Sequence, residues 1–134
     1  MSSNLRFGIP MSRRDTGFPK HVLEMLLARS GGECEVMANE FICKIAGSEA
    51  HHRRPKAAGG TRRPETNYLS NGLMACTSCH RHIHDNPLWA RDNGFLVRQS
   101  ENPAEVPVWW RSKRDGGRKA LVLLDDVGGK RSAA

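Results

Sequence analysis

A chain of 134 residues, 38% hydrophobic and only 6% aromatic, has room for one small domain with a modest core. It holds no apolar run of 18 residues and no hydrophobic leader, so it reads as soluble and cytoplasmic rather than membrane-spanning or exported. Its 21 Lys and Arg against 14 Asp and Glu give a net charge of +7 and a pI near 9.8, which favours a polyanion such as nucleic acid.

Residues 1–17 carry Gly, Pro, Ser and the pair Arg13-Arg14 without apolar periodicity, and read as a flexible basic arm. A helix is expected over about 19–29: Pro19 suits a helix start, Val22, Leu23, Leu26 and Leu27 give one apolar face, and Gly31-Gly32 stops it. Cys34 and Cys43 bracket a loop. Residues 49–54 read as a short strand ended by Pro55, and 57–67 as an exposed, turn-rich loop. Leu73, Met74 and Ala75 suit a brief strand leading into a helix over 77–85, with Asn86-Pro87 as its stop. These elements make residues 18–87 the core that carries the chemistry.

Residues 88–126 read as a β-rich extension. Asn93-Gly94 is a turn, 95–98 is strand-like, and 106–111 and 118–126 flank Asp115-Gly116-Gly117 as a hairpin. Residues 127–134 read as a disordered tail. The fold class is α+β.

Five of the six histidines and two of the four cysteines fall within 50–86. In a reducing compartment four cysteines point to metal, and a structural Zn²⁺ takes four thiolates in a tetrahedron. Cys76 and Cys79 form a C-x-x-C pair, whereas Cys34 and Cys43 stand nine apart, wider than the usual knuckle. Free thiols or a redox pair are the alternatives. His80 and His84, four apart on a helix, project from one face as a cation-binding pair does, or simply make a polar surface.

His51 and His52 on a regular strand would point to opposite faces, and a pair of solvated histidines is the plain reading. If both act at one site, one ligates and the other is the base, because a metal-bound imidazole cannot accept a proton. Asn71-Gly72 reads from spacing alone as a turn. Arg53, Arg54, Arg62 and Arg63 are placed to hold phosphates, a contact that gives affinity with little sequence information.

In combination, HHRRP, NGLMAC and CTSCH resemble the HNH (ββα-metal) endonucleases, over about residues 34–87. The histidine set is similar to that of the colicin-type nucleases. The four-cysteine frame and the downstream NPAEVPVWW and LVLLDD are similar to stand-alone HNH proteins of tailed phages and actinobacteria. The resemblance implies a small ββα-metal motif with a structural zinc site, flanked by an N-terminal helix and a C-terminal β-hairpin. It implies a DNA endonuclease that leaves a 5′ phosphate and a 3′ hydroxyl on double-stranded DNA.

His51, His80 and His84 would then hold one catalytic divalent cation (Mg²⁺, Mn²⁺ or Ni²⁺), beside a structural Zn²⁺ at Cys34, Cys43, Cys76 and Cys79. His52 would be the general base, and Asn71 would orient it by bonding to the backbone of its loop. The phage likeness extends to a role in genome packaging with the terminase large subunit or portal, in the host cytoplasm. A non-catalytic zinc module that binds DNA or a packaging partner is the alternative, and it leaves the histidine spacing unexplained.

Overall fold

The computed structural model describes residues 17–55 and 63–133. Helix α1 (Lys20–Ser30) precedes strands β1 (Glu49–His52) and β2 (Gly72–Ala75), then helices α2 (Thr77–Asp85) and α3 (Pro87–Asp92). Strands β3 (Val108–Trp110), β4 (Ala120–Leu124) and β5 (Lys130–Ser132) follow. β1 and β2 pair antiparallel, with His51 opposite Leu73 and His52 opposite Gly72. The order of the second, antiparallel sheet is β3-β4-β5. The class is α+β, as expected, with α2 packed against both strands of the first sheet.

α1 forms where the sequence places it. Val22 and Leu26 turn inward onto Phe18, Leu69 and Met74. Gly31, at φ 66, closes the helix with its N–H on the Leu27 carbonyl, a left-handed position that glycine takes without strain. Arg114 reaches back from the C-terminal region and donates to the Ala28 and Arg29 carbonyls, so a cation covers the negative end of the helix.

All four residues of β2 are buried because both faces are covered. Met74 packs with the α1 cluster, while Leu73 and Ala75 face a second one built from Cys34, Val36, Ile83, Phe95, Val108, Trp110, Val122 and Leu124. The C-terminal sheet therefore shares its core with β2 and α2.

Three expectations change. Asn86-Pro87 ends α2 but also opens α3, since proline at the first helical position lacks only a donor that would be unpaired there anyway. Residues 95–98 form no strand: Phe95 and Val97 are buried and Leu96 and Arg98 are not, but the backbone bonds to Ala90 and Arg53 instead of a ladder. The tail read as disordered supplies β5. The Asp125 side chain accepts from the N–H groups of Val127 and Gly129, turning the chain so that 130–132 pair with β4. Polar side chains do not prevent this, because the ladder is a backbone interaction.

Three arginines, Arg29, Arg53 and Arg54, are buried among the described residues. Arg29 grips Glu35 through Nε–Oε2 (3.0 Å) and Nη2–Oε1 (2.8 Å), and Nη2 also reaches the Gly72 carbonyl. The Met74 N–H donates to the same Glu35 carboxylate, and the Trp110 ring lies 5.3 Å from the guanidinium. Burial pushes the Glu35 carboxyl above its usual range, against the pull of Arg29. α1 thus also anchors the first cysteine loop.

Arg53, expected to hold a phosphate, is 0% exposed. Its guanidinium donates to the carbonyls of Gly94, Ser70, Pro103 and Val106 at 2.7–3.0 Å. Burial lowers its pKa to about 9. Arginine suits this task because its planar fork can meet several carbonyls at once. Replacement by Met, similar in length but without donors, removes four hydrogen bonds; the Pro103 carbonyl keeps the Val106 N–H, and those of Gly94, Ser70 and Val106 lose this donor. Arg53→Met is expected to lower unfolding free energy by more than ~3 kcal/mol in urea denaturation. A loss below ~0.5 kcal/mol, the range of surface substitutions, would exclude this internal role.

Candidate metal centres

The sulfurs of Cys34, Cys43, Cys76 and Cys79 lie within 4.8 Å of one another, and none is in a disulfide. The wide first spacing is accommodated because residues 33–46 fold back on themselves. Glu33 bridges to Ala46, and Cys34 N–H bonds to the Ile45 carbonyl. Backbone N–H groups point at every sulfur: Met37 at Cys34, Ile45 at Cys43, Lys44 and Cys79 at Cys76, and Ala38 at Cys79, at 3.3–3.4 Å.

Met37 (φ 43) and Ile45 (φ 71) adopt left-handed backbone to present these groups. For a β-branched residue such as Ile45 that conformation is strained, and such strain persists only where surrounding interactions hold it.

Four thiols this close cannot all ionise without a cation. The thiol of Cys79 donates to Cys34, lowering Cys34 to about 5 and pushing Cys79 far up; burial raises Cys43 to about 11. The donor set and its N–H shell fit a structural metal ion such as zinc.

The second cluster lies on the next turn of the same helix. α2 presents three stripes: Cys76, Cys79 and Ile83 toward the core, His80 and His84 toward β1, and Ser78, Arg81, His82 and Asp85 toward neither. One ring nitrogen each of His51, His80 and His84 lies within 4.8 Å of the others. His51 is 1% exposed and contacts the Phe95 carbonyl through Nε2 at 2.6 Å, which places the proton there and the lone pair on Nδ1. His80 Nδ1 is 2.6 Å from Glu49 Oε1, leaving its Nε2 as the acceptor. His84 Nε2 faces that atom at 3.2 Å.

Tying the far nitrogen to a carbonyl or carboxylate is how metal-binding imidazoles are oriented. Burial, opposed by the Phe95 bond, lowers His51 to about 3, so it is neutral and ligand-competent at ordinary pH. Burial also lowers His84, with the charge of His80 adding to it.

His52 occupies the opposite side of β1, half-buried and stacked on Phe18 with ring centroids 3.9 Å apart. Its Nε2 meets Asn67 Oδ1 at 3.0 Å, an arrangement that puts the proton on Nε2 and the lone pair on Nδ1. Asn71 is 0% exposed and is no hairpin turn: it ends a 3₁₀ turn at the mouth of β2. Its Oδ1 accepts from Arg54 N–H (2.6 Å), and its Nδ2 donates to the carbonyls of Arg54 (3.1 Å) and Thr66 (2.8 Å). These bonds fix the backbone directly after the histidine doublet.

The expected phosphate contacts fare differently. Like Arg53, Arg54 is buried: its Nη1 donates to the Glu101 carbonyl and its Nη2 lies 3.8 Å from Glu65 Oε1, so a surface role is lost for both. Arg63 is exposed and donates to the Gln99 carbonyl. Arg62 and the basic arm up to residue 16 lie outside the described residues.

Sequence reasoning missed the residues that orient the imidazoles. Glu49 shares a strand face with His51, two positions away, so alternation could have found it. The Phe95 carbonyl and Asn67 lie 44 and 15 residues from their histidines, and local spacing carries no sign of them. Comparison with protein-family models, curated proteins and solved structures finds no match for this chain.

Zinc analysis of the folded protein is expected to give about one tightly held equivalent. Cys76→Ser should lower both that content and the melting temperature, because structural zinc contributes directly to folding; less than half an equivalent in well-folded protein would exclude the site.

In protein loaded with zinc at the cysteine site alone, His51 should add a pH dependence. An unfolded histidine takes a proton near 6.5, the folded one only near 3, so stability is lost as pH falls through that window. The slope of melting temperature between pH 7 and pH 5 should flatten in His51→Gln, which keeps an N–H donor for Phe95. An unchanged slope would mean that His51 does not titrate as a buried neutral imidazole.

Proposed function

We propose that this protein is a metal-dependent endonuclease that hydrolyses phosphodiester bonds of double-stranded DNA. The observation that carries the reading is the convergence of His51, His80 and His84, with the outer nitrogens of His51 and His80 anchored on Phe95 and Glu49. Those three imidazoles fit one divalent cation, with Mg²⁺, Mn²⁺ and Ni²⁺ as candidates. When bound, the ion supplies charge stabilisation at the scissile phosphate and the departing 3′ oxygen.

The protein's own groups perform the rest. His52 takes the proton of the attacking water at Nδ1, while Asn67 holds its Nε2–H and Phe18 fixes the ring plane. Asn71 holds the Arg54 peptide and so keeps His52 at the end of its strand. Water attack at phosphorus with loss of the 3′ oxygen leaves a 5′ phosphate and a 3′ hydroxyl. The cysteine cluster positions α2, and with it His80 and His84. A place beside a terminase in genome packaging rests on the sequence resemblance alone.

The test is supercoiled plasmid incubated with purified protein, with and without EDTA and each of the three cations. Metal-dependent nicking is expected. His52→Ala should slow it by ~10²–10⁴-fold, the usual worth of a positioned base, with metal affinity and melting temperature nearly unchanged. His80→Ala or His84→Ala should lose metal binding and cleavage together, with partial recovery at higher metal concentration. Binding of DNA without cutting under any cation would instead support the non-catalytic zinc module.

A further inference from the structure

The C-terminal sheet has a second face that the shared core does not use. Val108, Trp110, Val122 and Leu124 point inward, so Trp109, Leu121, Leu123 and Arg131 line the outside. Trp109, directly opposite Leu121, keeps 37% of its surface in water. An open concavity of about 520 Å³ lies over this face, lined by Trp109, Lys119, Leu121, Lys130 and Arg131 among others, and by no carboxylate. Lys130 is turned toward Asp115 (3.4 Å) and the Trp110 ring. Lys119 stands over the Trp109 ring with Nζ 5.7 Å from its centroid, and neither it nor Arg131 forms an ion pair among the described residues.

We propose that this face binds a single-stranded nucleic-acid segment, with one base on the Trp109 indole and the flanking phosphates on Lys119 and Arg131. An indole plane beside cations on an apolar floor matches the alternating flat base and charged backbone of an unpaired strand. A duplex keeps its base faces stacked inside and meets only the cations. A second copy of this chain docked through the same face would set Lys119 and Arg131 against like charges. The cation now over the ring is on a flexible stem, so it can turn to a phosphate as a base takes its place. This surface does not depend on the endonuclease reading, since nothing in it uses the metal centres.

The experiment is fluorescence anisotropy of a labelled oligothymidylate on the full-length His52→Ala protein, which keeps the strand intact whether or not the parent cuts DNA. Trp109→Ala is expected to weaken binding on the order of tenfold, and Trp109→Phe, which keeps an aromatic plane, to retain most of it. Lys119→Ala with Arg131→Ala should flatten the dependence of log Kd on log salt by about 1.4, two single-strand phosphate contacts. Melting curves check that each variant is folded. Should Trp109→Ala unfold the sheet, the Phe variant and the double charge variant decide the matter. Binding unchanged in both overturns the proposal, as does Trp109→Ala in folded protein binding within about twofold of its parent. Equal competition by polyglutamate, insensitive to Trp109, would also overturn it and assign the face to an acidic protein.

Discussion

Four sulfurs within 4.8 Å set the terms for the rest of this fold. Without a cation, each thiolate that forms raises the cost of the next. A metal ion such as zinc could be held by all four sulfurs and would then join residues 34, 43, 76 and 79. Apparent free energies for structural zinc in small modules, ~10–16 kcal/mol, far exceed the ~1–3 kcal/mol of a left-handed non-glycine residue such as Ile45. The same atoms start α2: Cys76 Sγ accepts from Cys79 N–H at the helix N-terminus, and His80 is the next residue. The direction in which His80 and His84 face is therefore inherited from the cysteines.

Cations inside the protein complete the frame. Arg29 with Glu35 joins α1, the first cysteine loop and β2, and Arg53 joins the end of β1 to residues 70, 94, 103 and 106. Breaking such a buried pair is costly because it leaves a charge in an apolar setting, although the pair itself adds little net stability. There is a functional corollary. The formal charge of +7 overstates what the surface shows a polyanion, because Arg29, Arg53 and Arg54 are directed at the interior.

What the sequence made legible follows from how local each signal is. α2 was placed over residues 77–85 because its cysteines, histidines and flanking Asn86-Pro87 obey a helical period and a stop. The pairing of His80 and His84 on one helix face was readable from their spacing of four. The place of His51 beside them followed only from the family resemblance, since a doublet on a strand leaves both of its histidines open. The direction of the arginines was not readable. HHRRP looks the same whether Arg53 faces water or four carbonyls, and only the arrangement of residues 94–106 decides it. Likewise β5 depends on pairing with β4, which no feature of GKRSAA announces, although the Asp125 and glycine turn before it does. The strand-like 95–98 erred the other way: its alternation reports burial faithfully, but burial alone does not make a ladder.

The shared core has a consequence for how the polypeptide comes into being. Its members run from Cys34 to Leu124, with the first cysteine loop, α2 and the C-terminal sheet interleaved. A nascent chain emerging from the ribosome cannot bury Leu73 or Ile83 properly until Val108, Trp110 and Leu124 have followed them out. The first two thiols likewise wait for the last two. This core is thus incomplete until Leu124 has been made, and until then the apolar strand β2 and four reduced sulfurs stay open to aggregation, oxidation and stray metals. If the four sulfurs hold a metal, its supply during synthesis would matter as much as its supply afterwards.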